Sequence, residues 1–288
     1  MTESAARFDR SIVEGPLRAA VWKIGWPTMV VNIISGLPGI VDHLLVGNLV
    51  GSQANAAMAV SWQIILIVIV FISSLFSGMG VLVARFAGRG ESDKVDRVVY
   101  QAFLTAVFLS LGVMAPIGYF GSPWLLDFVN AAPAVQVEAL PFIRIMFVFS
   151  FGMMLFFMRS GALRAAGDAR TPMWLGIAWT LLNLVLNVAF ITGPGPLPAF
   201  GTRGSAMGTC LSAGLLAIYS IWKLWTGAWV VRFPRGHGFG PDWEIIKSLF
   251  RFGLPTGLQG IAMNIGGVVM LSLMGSLGRT EGAAAQAA

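Results

Sequence analysis

From Ile24 to Ala84 the chain carries one formally charged side chain, Asp42. A helix needs about 20 mostly apolar residues to cross the hydrocarbon core of a bilayer, so this stretch is long enough for two crossings. The pattern persists beyond it: 56% of the 288 residues are hydrophobic and 11% are charged, against about 25% charged in soluble domains. Apolar runs of this length are too long for the strands of a membrane barrel. The expected fold class is therefore an all-α membrane protein, a polytopic helical bundle of about seven transmembrane helices. Thirty-five glycines suit helices that approach one another through small residues.

Hydropathy places the spans at Leu17–Leu49, Ala57–Ala84, Val98–Phe120, Ala139–Met158, Thr171–Thr192, Gly204–Trp225 and Lys247–Leu277. Their connections alternate in charge. Arg7, Arg10, Arg18 and Lys23 precede the first span, and Arg85, Arg89, Lys94 and Arg97 follow the second. Arg164 and Arg170 follow the fourth, and Lys223, Arg232, Arg235, Lys247 and Arg251 follow the sixth. The intervening loops hold only Asp127, Glu138 and Arg203. Excess Lys and Arg mark the cytoplasmic side, so a multi-pass protein of the cytoplasmic membrane with its amino terminus inside is expected. The net charge of +6 then reflects membrane topology rather than a nucleic-acid partner.

The chain also repeats itself. Lys23-Ile-Gly25-Trp-Pro27-Thr28 returns as Arg251-Phe-Gly253-Leu-Pro255-Thr256, at an offset of 228 residues. Held ungapped, that offset pairs Gly39 with Gly267 and Gly47 with Gly275. The seventh span thus restarts the first. Six spans separate the copies, so both begin on the same side, as in parallel repeats about an axis along the membrane normal. Four parts follow: a cytoplasmic tail (1–16), a six-helix amino-terminal lobe (17–226), a cytoplasmic inter-lobe linker (227–246) and the first helix of an incomplete second lobe (247–288). The chain reads as truncated, and the missing second lobe is an expected partner. Met270 stands where the second copy would repeat Asp42, so the carboxylate belongs to the first copy alone.

An ionisable group at membrane depth costs at least ~2.5–3.5 kcal/mol and is by default a candidate functional site. Asp42 either couples transport to an ion or is a hydrogen-bonded structural acid. Its helix also contains Pro27 and Pro38, which remove backbone donors and make bending points. Helical rise places Asp42, Asn183, Asn187 and Thr209 at comparable depth in the outer half of the bundle.

Several stretches together resemble the multidrug and toxic compound extrusion (MATE) family. They are VDHLLVGNLVG closing the first span, SGALRAAGDARTPM leaving the fourth, the paired asparagines of LLNLVLNVAF and GTRGSAMGTCLSA opening the sixth. The resemblance implies one lobe of a two-lobe secondary antiporter that exports organic cations and other amphipathic small molecules in exchange for H⁺ or Na⁺. It puts Asp42 on the family's coupling aspartate, Pro27 on its bending proline, and Asn183 and Thr209 beside that aspartate. Asn187 stands where some members carry a second acid, which leaves the coupling ion open and speaks against a paired-carboxylate mechanism.

Other groups have plainer readings. His43 points about 100° from Asp42 and is either a second proton carrier or a polar contact to a neighbouring helix. Arg144 and Arg159 are expected to snorkel toward the interfaces or to meet an anionic substrate. Asp168 is expected to cap the fifth span or pair with Arg164. Met153, Met154 and Phe157, with Phe151 and Phe156, either line an adaptable apolar drug pocket or pack the core. His237 lies in a solvated loop. Two histidines and one cysteine supply neither a zinc site nor a nucleophilic centre, so no enzyme, cofactor or metal is expected beyond Na⁺ at Asp42. The alternatives are a flippase for lipid-linked precursors, which should carry Arg or Lys inside its cavity, and an inactive truncated half-transporter.

Overall fold

In hydrocarbon every backbone polar group needs an internal partner, and a helix supplies one within each segment. The computed structural model describes residues 15–128, 133–193, 198–234, 240–260 and 262, and their regular structure is helical throughout. The helices are α1 (Leu17–Leu49), α2 (Ser52–Gly88), α3 (Ser92–Val107), α4 (Ser122–Phe128), α5 (Pro133–Val148), α6 (Phe151–Ala165), α7 (Arg170–Thr192) and α8 (Thr202–Thr226). Two wide π-helical stretches, Phe108–Met114 and Ile117–Gly121, join α3 to α4, giving one apolar length from Ser92 to Phe128. Residues 243–260 form a further helical segment.

Five apolar lengths among the described residues can cross a membrane, and α5 with α6 makes a sixth if taken together. That pair differs from the straight span expected over Ala139–Met158, because the two helices meet at an angle of 51°. Ser150 sits at the bend and its hydroxyl meets that of Ser110, in the first π stretch, at 3.1 Å. Both irregular stretches thus share one buried polar contact. The seventh span is helical from residue 243, earlier than expected. Its remainder, with Gly267, Met270 and Gly275, lies outside the described residues, as do the tail through Glu14 and His237.

The helices approach closely where glycine permits it. A Cβ on Gly152 of α6 would lie 2.6 Å from the Ala213 carbonyl carbon and the Gly214 nitrogen of α8. On Gly208 of α8 it would lie 2.9 Å from the Asn187 nitrogen of α7. α7 is packed between α1 and α8, so these approaches bring three helices around one line. α1 runs unbroken through both prolines. Pro38 leaves the Ile34 carbonyl without its helical donor, and the Thr180 hydroxyl of α7 donates to that oxygen at 3.5 Å.

Gly152→Val is expected to cost about 1–3 kcal/mol through overpacking, seen as a lower thermal midpoint in detergent. Gly214→Val, whose Cβ meets nothing within 4 Å, is expected to change stability by less than about 0.5 kcal/mol. Equal shifts in the two variants would refute a backbone contact at Gly152.

Candidate functional site

Asp42 is fully buried, turned from α1 into the seam between α7 and α8. α7 presents Asn183 and Asn187 four residues apart, hence one above the other on one face. α8 presents Ser205 and Thr209 in the same relation, and all four are at most 2% exposed. The close approach at Gly208 sets these two faces together.

The side chains close a ring. Asn187 donates through Nδ2 to Asp42 Oδ1 and to Asn183 Oδ1, at 3.3 Å for the latter. Asn183 Nδ2 donates to Thr209 Oγ1 at 2.9 Å, and Thr209 Oγ1 donates to Asp42 Oδ2 at 3.3 Å. Two of these hydrogens, from Asn187 and Thr209, go to the carboxylate, and Asn183 links the two donors. Ser205, one turn before Thr209, donates to Met58 Sδ at 3.9 Å. Burying a carboxylate costs several kcal/mol, and charge-assisted hydrogen bonds such as those from Asn187 and Thr209 offset part of that cost. One acceptor is left over: Asn187 Oδ1 is buried and has no hydrogen-bond partner among the described residues. A carboxylate beside a spare amide oxygen and a hydroxyl is a hard, oxygen-only environment. It suits a proton or an alkali cation rather than a soft transition metal.

A cavity of about 600 Å³ lies beside this ring, among α1, α2, α6, α7 and α8. Its wall includes Pro38, Trp62, Met153, Phe157 and Trp179, and also Thr209. Thr209 therefore faces the cavity and donates to Asp42. His43 lies on the wall as well, where its Nδ1 meets Asn55 Oδ1 of α2 at 2.7 Å. Asp42 and His43 thus serve different sides of α1, and the contact to a neighbouring helix is the reading the geometry supports.

The structure brings together Asp42, Asn183, Asn187 and Thr209, and sets Pro38, Met153, Phe156 and Phe157 on the cavity wall. Pro27 is buried on α1, away from that wall. Met154 takes the core-packing alternative: it is 5% exposed and lies among Ile65, Met146 and Phe147, because it follows Met153 by about 100° around the helix. Phe151 also turns elsewhere, toward Phe103, with ring centroids 6.4 Å apart. Arg159 is a correction. It does not snorkel; it is 1% exposed, donates through Nη1 to Ser220 Oγ at 2.8 Å, and lies 5.0 Å from the Phe156 ring centre. The α6–α8 contact encloses it before it can reach an interface. Arg144 stacks 5.3 Å from the Tyr119 ring centre. Asp168 caps α7, accepting from the Thr171 amide at 3.0 Å and its hydroxyl at 2.6 Å. Sequence reasoning missed Ser205, Gly208, Trp62 and Trp179. Ser205 was signalled by its place four residues before Thr209; the others carried no spacing signal.

Known proteins resemble this chain in sequence and fold. The chain is 26% identical over 263 residues to the probable multidrug resistance protein NorM of Thermotoga maritima, covering 90% of this chain and 55% of the relative. It is 28% identical over 258 residues to the probable multidrug resistance protein YpnP of Bacillus subtilis, covering 88% and 55%. The chain therefore spans about half the length of these relatives. Among solved structures, an outward-facing multidrug resistance MATE family transporter of the MOP superfamily superposes with a TM-score of 0.77 at 23% identity, over 92% of this chain and 57% of that one. The MatE family model matches residues 27–189, more than half of the chain, and with all-helical membrane architecture around them the chain belongs to the MatE family.

Proposed function

We propose that this chain is the amino-terminal part of a secondary antiporter of the cytoplasmic membrane, exporting organic cations and other amphipathic compounds in exchange for H⁺ or Na⁺. The observation that carries the proposal is the double position of Thr209, on the cavity wall and on the Asp42 carboxylate. Occupancy of the carboxylate is thereby felt at the cavity. An ionised Asp42 draws the Thr209 hydroxyl and the Asn187 amide inward and favours a cationic guest nearby. A proton or Na⁺ on Asp42 removes that charge, frees the donors to turn, and weakens the hold on the guest. Pro27 and Pro38 are the points at which α1 gives way as this happens.

Among the described residues the wall of the cavity includes no Lys or Arg. That favours cationic or neutral cargo over a diphosphate lipid, which needs cationic partners where it sits. Arg159 is enclosed between α6 and α8 and does not alter this. The amino terminus is assigned to the cytoplasm from the clustering of Lys and Arg at one end of the helices. A second lobe would complete the site, and the face of α1 bearing Gly25 suits it. A Cβ on Gly25 meets nothing within 4 Å, and Asn32 is exposed on the same helix, where an amide would be costly against lipid.

In a complete two-lobe polypeptide, Asp42→Asn is expected to reduce ethidium or norfloxacin efflux to the background of cells lacking the transporter, with membrane expression unchanged. Undiminished efflux would remove Asp42 from the mechanism. In vesicles, an imposed pH gradient and an imposed Na⁺ gradient applied separately identify the coupling ion; transport that responds to neither would refute antiport. Asn187→Leu leaves Asp42 and Asn183 each short of a donor, and is expected to destabilise the detergent-solubilised chain by about 1–3 kcal/mol. An unchanged thermal midpoint would show that the ring does not hold the bundle.

A further inference from the structure

The first three turns of α3 hold both sides of the connection between α8 and the segment over 243–260. Asp96 and Tyr100 hold the near side. Asp96, 3% exposed, accepts from the Arg232 amide and from Arg232 Nε, both at 3.1 Å. Val231 is fully buried, and the Phe233 ring packs 5.5 Å from Tyr100 and 5.0 Å from Phe103. Arg97 and Gln101 hold the far side. Gln101 donates to the Gly240 carbonyl at 2.9 Å and accepts from the Asp242 amide at 3.0 Å. Arg97 Nη2 lies 2.8 Å from Asp242 Oδ2. Asp242 in turn caps the 243–260 segment, accepting from the amides of Glu244 and Ile245 at 3.1 and 3.3 Å.

The two holds differ in kind. The near side is the more buried: the Asp96 side chain is 4% exposed against 37% for its partner Arg232, and Val231 and the Phe233 ring pack beside the pair, so it serves as the anchor. The far side is hydrophilic and partly solvated, with the Arg97 side chain 55% exposed, and exposed pairs of this kind are weak.

Beyond this clasp, the segment crosses α2 backbone to backbone. A Cβ on Gly78 would collide with the Leu249 carbonyl oxygen and lie 2.8 Å from the Gly253 nitrogen. One on Gly253 would lie 2.6 Å from the Ser74 carbonyl oxygen and 2.8 Å from Leu75 Cα. Leu249 is closed in at 2% exposure, while Phe252, Leu254 and Leu258 on the same segment are 40%, 40% and 64% exposed. Two helices that meet through glycine backbone have few interlocked side chains to unpack, so they can part as units. The crossing also joins the two sequence repeats: α2 belongs to the first, and Gly253 is the repeat equivalent of Gly25.

We infer that the Gly78–Gly253 crossing is a releasable latch between the repeats at the basic end of the bundle, held shut by Arg97 and Gln101 on the cap of the 243–260 segment. The inference deepens the antiporter reading by naming the contact that must open when the two units move apart, and Asp96 with Phe233 is the anchor about which it opens.

The test reads accessibility, not transport, so either reading can fail without the other. The 288-residue chain carrying Leu249→Cys is placed in nanodiscs and treated with a water-soluble maleimide. Modification is followed at residue 249 and at the native Cys210. Slow modification at 249 is expected, rising about two- to fivefold when Arg97→Ala is added, as for an exposed ion pair, and about tenfold when Gln101→Ala is added, as for ties worth roughly a hydrogen bond to local opening. Arg97→Lys should keep it slow, and the rate at Cys210 should not change. Fast modification before the ties are cut, or no rise after, would overturn the latch. A rise shared equally by Cys210 would also overturn it, since the ties would then hold the whole bundle rather than one crossing.

Discussion

A single carboxylate in an apolar bundle governs how its neighbours are arranged. An uncompensated charge in hydrocarbon is costly enough to select sequence on every helix that touches it. α7 answers with two amides one turn apart and α8 with the Thr209 hydroxyl. Gly208 keeps side-chain bulk out of the line along which they converge. Asn187→Asp would place a second acid in the same ring, and one proton or monovalent cation would then leave a net negative charge in the apolar bundle. The amide lets the ring carry one charge that can change.

What was legible in the sequence follows from what apolar surroundings make conspicuous. Asp42 stood out because nothing else between Ile24 and Ala84 is charged. Asn183 and Asn187 stood out as amides at helical spacing inside an otherwise aliphatic run. The spans were legible for the same reason, and α1 begins and ends where hydropathy put it. The angle between α5 and α6 was not legible, since Phe149 and Ser150 give no proline or glycine signal and the bend rests on Ser110, forty residues away in sequence. The burial of Arg159 was hidden for a related reason. A guanidinium near a helix end looks the same in sequence whether it reaches water or meets Ser220 on another helix. Met153 and Met154 are identical in type and adjacent, so only the helix phase separates a wall residue from a core residue.

Glycine has two distinct uses here. At Gly152 and Gly208 it lets helices of one unit lock at backbone distance, around a site whose geometry must not drift. At Gly78 and Gly253 the same close approach joins helices of different repeats, with solvated polar ties at one end. Chemically the contacts are alike. Both pairs are flanked by buried apolar side chains, and what sets the second apart is the solvated ion pair beyond it, on which the proposed latch rests.

The position of Pro38 connects the charge to the shape of α1. It lies one turn before Asp42, and the carbonyl it frees, on Ile34, is taken by Thr180 of α7. α1 is therefore fastened to α7 on both sides of its weakest point, by Thr180 below and by the Asp42–Asn187 contact above. The lower fastening is a long hydrogen bond between neutral groups, while the upper involves a carboxylate, and charge-assisted bonds are about twice as strong as neutral ones. Any event that discharges Asp42 weakens the stronger fastening and leaves the weaker one to hold a helix that lacks a backbone hydrogen bond between them. In the antiporter proposed above, a change of one charge at the site is in this way passed to α1 at the cavity wall, where Pro38 itself stands.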